Sequence, residues 1–363
     1  MIYLDHAATT PICEAAKKVI IEHLDYFGNP SSSYELGYKS RMLIEDARER
    51  IAKCINAEPE EIYFTSGGSE ADTWALNGKC SLSSKVEHHA VHSIFRFNVD
   101  ANGTADLEHI NHLLKSNQMY SPIQIGAVSC MMVNNEIGTI QPVKQIADIT
   151  HSYNTLFHTD AVQAVGHIPV DVKELNCDML SASGHKFGSP KGIGFLYVKN
   201  GFKLSPFIYG GKQEQGVRGG TENVLGIIAM AAALEDSVAN MQARNECIEF
   251  LRDTLLTRLL NIDGVYLNGS LNNRVDSNIN IRINGAKGED VVSMCDEYGI
   301  CISAGSACNE GMATPSHVLK AIGLTDEEAL SSIRITIGHQ NTFEEIDIAS
   351  KTITEIIKIL RKY

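Results

Sequence analysis

The segment Asp178–Val198, "DMLSASGHKFGSPKGIGFLYV", sets two short apolar runs around a lysine in a bed of small residues. Ser181, Ser183, Gly184, Gly188 and Ser189 clear bulk from the backbone near Lys186, which stands between a histidine and an aromatic. A surface lysine needs no such clearance; one that must reach a bound ligand does. The flanking runs, Asp178–Ala182 and Gly194–Val198, read as strands. They close a series that includes Glu61–Thr65 ("EIYFT"), Ile123–Met132 ("IQIGAVSCMM") and Thr155–His158 ("TLFH"). Amphipathic helices starting near Ser69 and spanning Lys144–Tyr153 fall between them. Strand–helix alternation of this kind predicts an α/β domain with a mainly parallel sheet.

Beyond about Glu235 the texture changes. A long helix is expected over Ala232–Leu260, followed by the alternating segments Ser277–Ile283 ("SNINIRI") and Ser331–Gly338 ("SSIRITIG"). Thr342 to Glu345 spell a capping box, and Ile346, Ala349, Ile353, Ile357 and Leu360 then recur at helical spacing. The expected division is a large α/β domain over residues 12–240 and a smaller α+β domain from 241–363. Residues 1–11, which spacing alone leaves free to join either part, are grouped with the smaller one. A chain of 363 residues suits two such domains.

The formal charge of −13 argues against nucleic acid or an anionic membrane as the main partner, so any phosphate must be held locally. The N-terminal "MIYLDHAATT" meets Asp5 and His6 before an export signal could form. The longest apolar run, Val224–Leu234, is about half a bilayer span and reads as a buried helix. Nine cysteines without a CxxC pair fit neither a disulfide framework nor a zinc knuckle, and indicate a reducing cytoplasm. Cys295, Cys301, Cys308 and His317 lack metal-ligand spacing, so no metal is expected.

If Lys186 forms a Schiff base with an aldehyde cofactor, pyridoxal phosphate being the common case, the chemistry specifies the rest of the pocket. A carboxylate must keep the pyridine nitrogen protonated, and Asp160 follows an apolar strand at the sheet edge where α/β proteins bind ligands. Taken alone, Asp160 reads sooner as a plain helix N-cap before "AVQAV". The phosphate needs backbone amides, and "IYFTSGGSEADTWAL" runs strand, Gly67-Gly68, Ser69, helix. Neither the P-loop nor the dinucleotide spacing is present. His88, His89 and His92 offer a flat partner for the ring, although such clusters also face solvent. Arg334, inside the apolar strand "SSIRITIG", must be paired if buried and is the candidate for a substrate carboxylate.

These features, with "YLDHAATTP", "FGNPSS", "FTSGGSEAD", "VNNEIG", "HTDAVQAVG", "SGHKFGSPKGIG", "RGGTEN", "SAGSAC" and "SSIRITIG", lie in one order along nearly the whole chain. In them the sequence resembles the pyridoxal-phosphate-dependent cysteine desulfurases of the NifS/IscS kind. The resemblance implies the fold-type-I transferase architecture, with a seven-stranded large-domain sheet. It implies Lys186 as the Schiff-base lysine, His88 stacked on the ring and moving protons, Asp160 on the pyridine nitrogen and Gln163 on the phenolic oxygen. Gly68, Ser69, Ser183 and His185 match the phosphate-binding set. Thr221 matches a residue reaching the neighbouring subunit's phosphate, which implies a homodimer with shared active sites. Asn135 and Arg334 match residues holding cofactor and substrate carboxylate.

Cys308 falls on the family's nucleophile, in a mobile loop of small residues. The implied reaction converts L-cysteine to L-alanine and leaves the sulfur on Cys308 as a persulfide. That sulfur would pass to a protein acceptor, an iron–sulfur scaffold or a tRNA-thiolation enzyme. No resident metal is implied, beyond a transient iron–sulfur contact through that persulfide. The sequence departs from many relatives at Ser69, Met132 and Asn309-Glu310, and a carboxylate at Glu310 disfavours a neighbouring thiolate. It ends at Tyr363, before the tail with which housekeeping relatives dock their scaffold. Two other classes stay open: another enzyme on this fold (aminotransferase, selenocysteine lyase or cysteine sulfinate desulfinase), and a cofactor-binding regulator without turnover.

Overall fold

The computed structural model describes residues 1–304, 308, 309 and 312–362, with the backbone alone at 308, 309, 312 and 313. The loop anticipated around Cys308 therefore lies largely outside the described residues. Its backbone pairing of Cys308–Asn309 with Met312–Ala313 is described, and its side chain is not.

A seven-stranded sheet carries the order Ile62–Thr65, Gly194–Val198, Met179–Ser183, Leu156–Asp160, Ala127–Ser129, Ser81–Ser84, Phe95–Phe97. Only Gly194–Val198 runs against the rest, so the sheet is mainly parallel, as the strand–helix alternation predicts. Helices 35–54, 107–120, 143–151 and 224–239 contribute to the main apolar core of this unit. The helix Gly68–Leu76 packs on the sheet through Ala71, Trp74 and Ala75.

Two strands escape the sequence reading. Ser81–Ser84 ("SLSS") has one apolar residue, yet all four are buried. Its hydroxyls are satisfied locally: Ser81 donates to His92 O, Ser83 pairs with Ser93 at 2.5 Å, and Ser84 donates to Glu87 at 2.5 Å. Hydrogen bonding thus makes burial tolerable where hydrophobicity gives no signal. Phe95–Phe97 extends this edge, and only Phe97 faces the core.

The expected single helix over Ala232–Leu260 is two helices, Val224–Ala239 and Met241–Leu260, bent by 70°. Asn240 sits at the break with φ −107° and ψ 5°, and its side-chain amide donates to Asp236 O at 2.8 Å. An asparagine that bonds the backbone offers it an alternative to the helix. The first helix buries Gly226–Leu234. Among the described residues no single helix is long and apolar enough to cross a membrane.

A second, four-stranded antiparallel sheet orders Ser303–Ala304, Ser332–Thr336, Asn278–Ile283 and Val265–Leu267. Helices 241–260, 288–297 and 343–360 cover it with a separate apolar cluster. The last helix starts with the anticipated capping box, Thr342 and Glu345 exchanging bonds of 3.2 and 3.1 Å. The N-terminus belongs with this cluster through Leu4, and Ile2–Tyr3 pairs in parallel with Ile300–Cys301. From Asp5, bridged to Thr336, the chain crosses to the large sheet and ends over Lys186.

Candidate active site

At the carboxyl edge of the large sheet a cleft of about 440 Å³ opens. Gly68, Ser69, His88, Asn135, Asp160, Gln163, Ser183, His185, Lys186 and Arg334 all line it. Most of them sit at a strand end or just after one, whereas Arg334 reaches the cleft from the middle of the Ser332–Thr336 strand of the smaller sheet. This edge is where open α/β sheets bind ligands.

The turn before Ser69 explains the paired glycines. Gly67 has φ 154° and ψ −176°, a backbone open essentially to glycine alone. A side chain at Gly194, on the neighbouring strand, would strike Ala182 O at 2.5 Å and Gly67 Cα at 2.8 Å. The glycine in "KGIGFLYV" thus serves close approach of two backbones. The helix Gly68–Leu76 then presents its first amides to the cleft, with no side-chain cap.

Lys186 follows the Met179–Ser183 strand in a single helical turn. Its Nζ donates to Ala7 O at 2.7 Å and Ala8 O at 2.9 Å. Burial, then the Arg334 charge, lowers its pKa to about 8, against the opposing pull of Asp160 and Asp5. A lysine held there carries a large neutral, nucleophilic fraction near pH 8, whereas an ordinary one does not. Capture of an added aldehyde by the full chain should therefore accelerate with rising pH and level off just above 8. Stopped-flow absorbance with pyridoxal phosphate measures this; a rate still climbing in proportion to hydroxide at pH 10 would contradict it.

Asp160 ends the Leu156–Asp160 strand, and its Oδ1 accepts from Val162 N at 2.9 Å. Burial raises its pKa to about 6, offset partly by the Val162 amide and Lys186. No helix follows for it to cap: residues 162–167 form turns, and the carboxylate closes the first of them on Val162 N. His88 accepts from Ala90 N at Nδ1, 3.1 Å, which leaves Nε2 to carry the proton of the neutral ring. Desolvation, then His89 and Lys186, keep that ring below its ordinary pKa. His185 pairs with Thr9 Oγ1 at 3.1 Å and is held near 4 by burial, Lys186 and Lys191.

Arg334 donates through Nη2 to Asp5 at 2.8 Å and through Nη1 to Asn135 O at 2.9 Å. Its Nε is buried and without a partner among the described residues, and each terminal nitrogen keeps a second N–H. Gln163 spends an amide proton on Ala7 O at 2.9 Å. Thr221 does not line this cleft. It lines an adjoining cavity that shares Ser66 and Gly192 with it. The Thr221 segment is tied back by Arg218, which grips Glu70 at 2.9 and 3.1 Å, while Glu70 also accepts from Ser66 N. A second clamp, Arg48 on Glu214 at 2.8 and 2.9 Å, holds the same segment to the strand before the glycines.

Sequence reasoning assigned no contact to the N-terminal segment. The carbonyls of Ala7 and Ala8, the hydroxyl of Thr9 and the carboxylate of Asp5 together position Lys186, Gln163, His185 and Arg334. The density of unusual residues in "YLDHAATTP" was the available signal. Glu70 and Arg218, in motifs already quoted, went unnoticed because their partners lie 148 residues apart.

Comparison with known proteins agrees with this geometry. Residues 2–348 match the model of the aminotransferase class-V family. A cysteine desulfurase IscS of Dictyoglomus turgidum is 42% identical, over 99% of this chain and 95% of that protein. The chain belongs to the class-V aminotransferases, among the cysteine desulfurases. The structure of a NifS-like protein from Rickettsia africae superposes with TM-score 0.91 at 33% identity, covering 99% of each chain. That of SspA in complex with cysteine gives TM-score 0.80 at 31% identity, over 94% of this chain and 100% of that one. With these neighbours the mainly parallel α/β architecture is that of fold type I.

Proposed function

We propose that this chain binds pyridoxal phosphate on Lys186 and is a cysteine desulfurase, converting L-cysteine to L-alanine and transferring the sulfur to Cys308. The observation that carries this reading is the convergence in one cleft of Lys186, Asp160, His88 and Arg334 beside an uncapped, glycine-led helix start. The residues fit the cofactor by donor chemistry: a lysine of lowered pKa, a buried carboxylate, free backbone amides and an unpartnered guanidinium Nε. Relatives named as cysteine desulfurases, and a similar protein whose structure holds cysteine, support the choice of substrate.

Bound there, the cofactor would supply an electron sink for the substrate's α-carbon. Asp160 would keep a proton on the ring nitrogen, and Gly68, Ser69, Ser183 and His185 would surround the phosphate. Arg334, fixed by Asp5 and Asn135 O, would orient the substrate carboxylate through its remaining N–H donors. His88 would move a proton at Nε2. Lys186 would hold the cofactor and, as a free amine, would take the α-proton. Cys308, as thiolate, would attack the substrate sulfur: the S–S bond would form as the Cβ–S bond breaks, and the electron pair left on carbon would take a proton to give alanine.

The neighbouring subunit is the proposed source of Thr221 for each cleft. Ile21, Leu24, Phe27, Tyr34, Leu36, Tyr38 and Met42 are exposed along one stretch, and Ser31 accepts from Gln213 beside the exposed Tyr209. An apolar surface of this extent marks an interface. Phe27→Asp should give monomers in sedimentation and lose at least about tenfold in turnover, one buried contact being worth some 1.4 kcal/mol or more; an unchanged dimer would contradict this. Further proposals are the two-domain division at about residue 240, a cytoplasmic location and an acceptor protein that draws sulfur from Cys308.

The reading is tested by adding L-cysteine to the cofactor-loaded chain with a thiol reductant. Alanine and sulfide in equal amounts, without need of a keto acid, support it. Amino-group transfer dependent on a keto acid would assign an aminotransferase instead.

A further inference from the structure

The Gly68–Leu76 helix carries a second carboxylate into the floor of the cleft. Asp72 lies one turn beyond Gly68 and Ser69, on the face turned to the sheet. It is 1% exposed, lines the same cleft as Asp160, and its Oδ1 has no hydrogen-bond partner among the described residues. The described groups that face it include no cation. From the Leu156–Asp160 strand it meets Asp160 and His158, whose Nε2 is 3.7 Å from Asp72 Oδ1. That imidazole is strung between Ser129 and Ser181 at 2.9 Å each, and burial holds it neutral. From the Met179–Ser183 strand it meets Ser181, and from the segment before His88 it meets Glu87. Glu87 is itself buried, has an unpartnered Oε2, and bonds Ser84 and Met131 N through the other oxygen. On its own helix the neighbouring acid, Glu70, also lines the cleft and is spent on Arg218.

Two carboxyls sharing a buried site do not both ionise; one keeps the proton. Asp160 has what a charge needs, the Val162 amide and Lys186 across the cleft. Asp72 has neither. We infer that Asp72 is a positioning residue for Asp160: it remains the neutral acid of the pair, so that Asp160 alone carries charge into the cleft. Burial, Asp160 and Glu87 all push the Asp72 pKa well above the usual carboxylate range. The consequence for the ring nitrogen rests on the function proposed above. The protonation of Asp72 does not.

Infrared difference spectra of the full chain, without cofactor, test this at pH 8. Wild type minus Asp72→Asn should show the carbonyl stretch of one protonated carboxylic acid. Wild type minus Asp160→Asn should show a carboxylate stretch. Asp72→Ser gives the same acid band and serves if Asp72→Asn folds poorly. A carboxylate stretch lost with Asp72, or an acid band lost with Asp160, overturns the assignment. Failure of the chain to bind pyridoxal phosphate would sink the function proposed above and leave the infrared result standing.

Discussion

Lys186→Ala is expected to lose turnover with L-cysteine by at least about 10³-fold, the scale of a removed acid–base and covalent group. The reason is geometric. Lys186 is the cationic side chain held at the cleft by two backbone carbonyls, Ala7 O and Ala8 O, with a pKa lowered to about 8. Alanine removes the nucleophile without disturbing the Met179–Ser183 strand, which ends before it. The variant should fold with an unchanged melting temperature, yet give no cofactor absorbance that survives gel filtration at high pH. Full activity in Lys186→Ala would mean that another amine serves, and the reading of the opening segment would fail.

Cys308→Ala should lose desulfuration to a similar extent and leave the cofactor absorbance intact. The bonds that hold Lys186, Asp160 and Arg334 are all made by other residues. The two variants therefore separate the steps: one removes cofactor attachment, the other removes the sulfur acceptor. A Cys308→Ala protein that still released sulfide at the wild-type rate would point to direct elimination. A thiol in a polar, glycine-bearing loop beside Glu310 must also be ionised to react, so its rate should rise with pH towards the thiol pKa.

How far the sequence reaches is visible residue by residue. The five strands predicted in the large sheet stand where short apolar runs meet turn residues, and Gly194–Val198 is reproduced at both ends. Ser81–Ser84 is illegible because its burial is secured by hydroxyl pairs and not by apolar side chains. The bend at Asn240 is a local side-chain bond that periodicity does not register. Within the cleft, Asp160, Ser69 and Lys186 announce themselves by position next to a strand end. The contribution of Asp5, Ala7 and Ala8 is invisible, since it is made by carbonyls and by a carboxylate 329 residues from its arginine. Asp72 reads as one more helix residue until the sheet is folded beneath it.

The central claim, that sulfur leaves L-cysteine and rests on this chain, is tested most directly by a single turnover without reductant. Cofactor-loaded protein is mixed with a limited excess of L-cysteine, quenched, and examined by intact and peptide mass spectrometry alongside amino-acid analysis. The account predicts one alanine formed per chain and one sulfur atom gained, on the peptide containing Cys308. Alanine without protein-bound sulfur, or a keto acid in place of alanine, would contradict it.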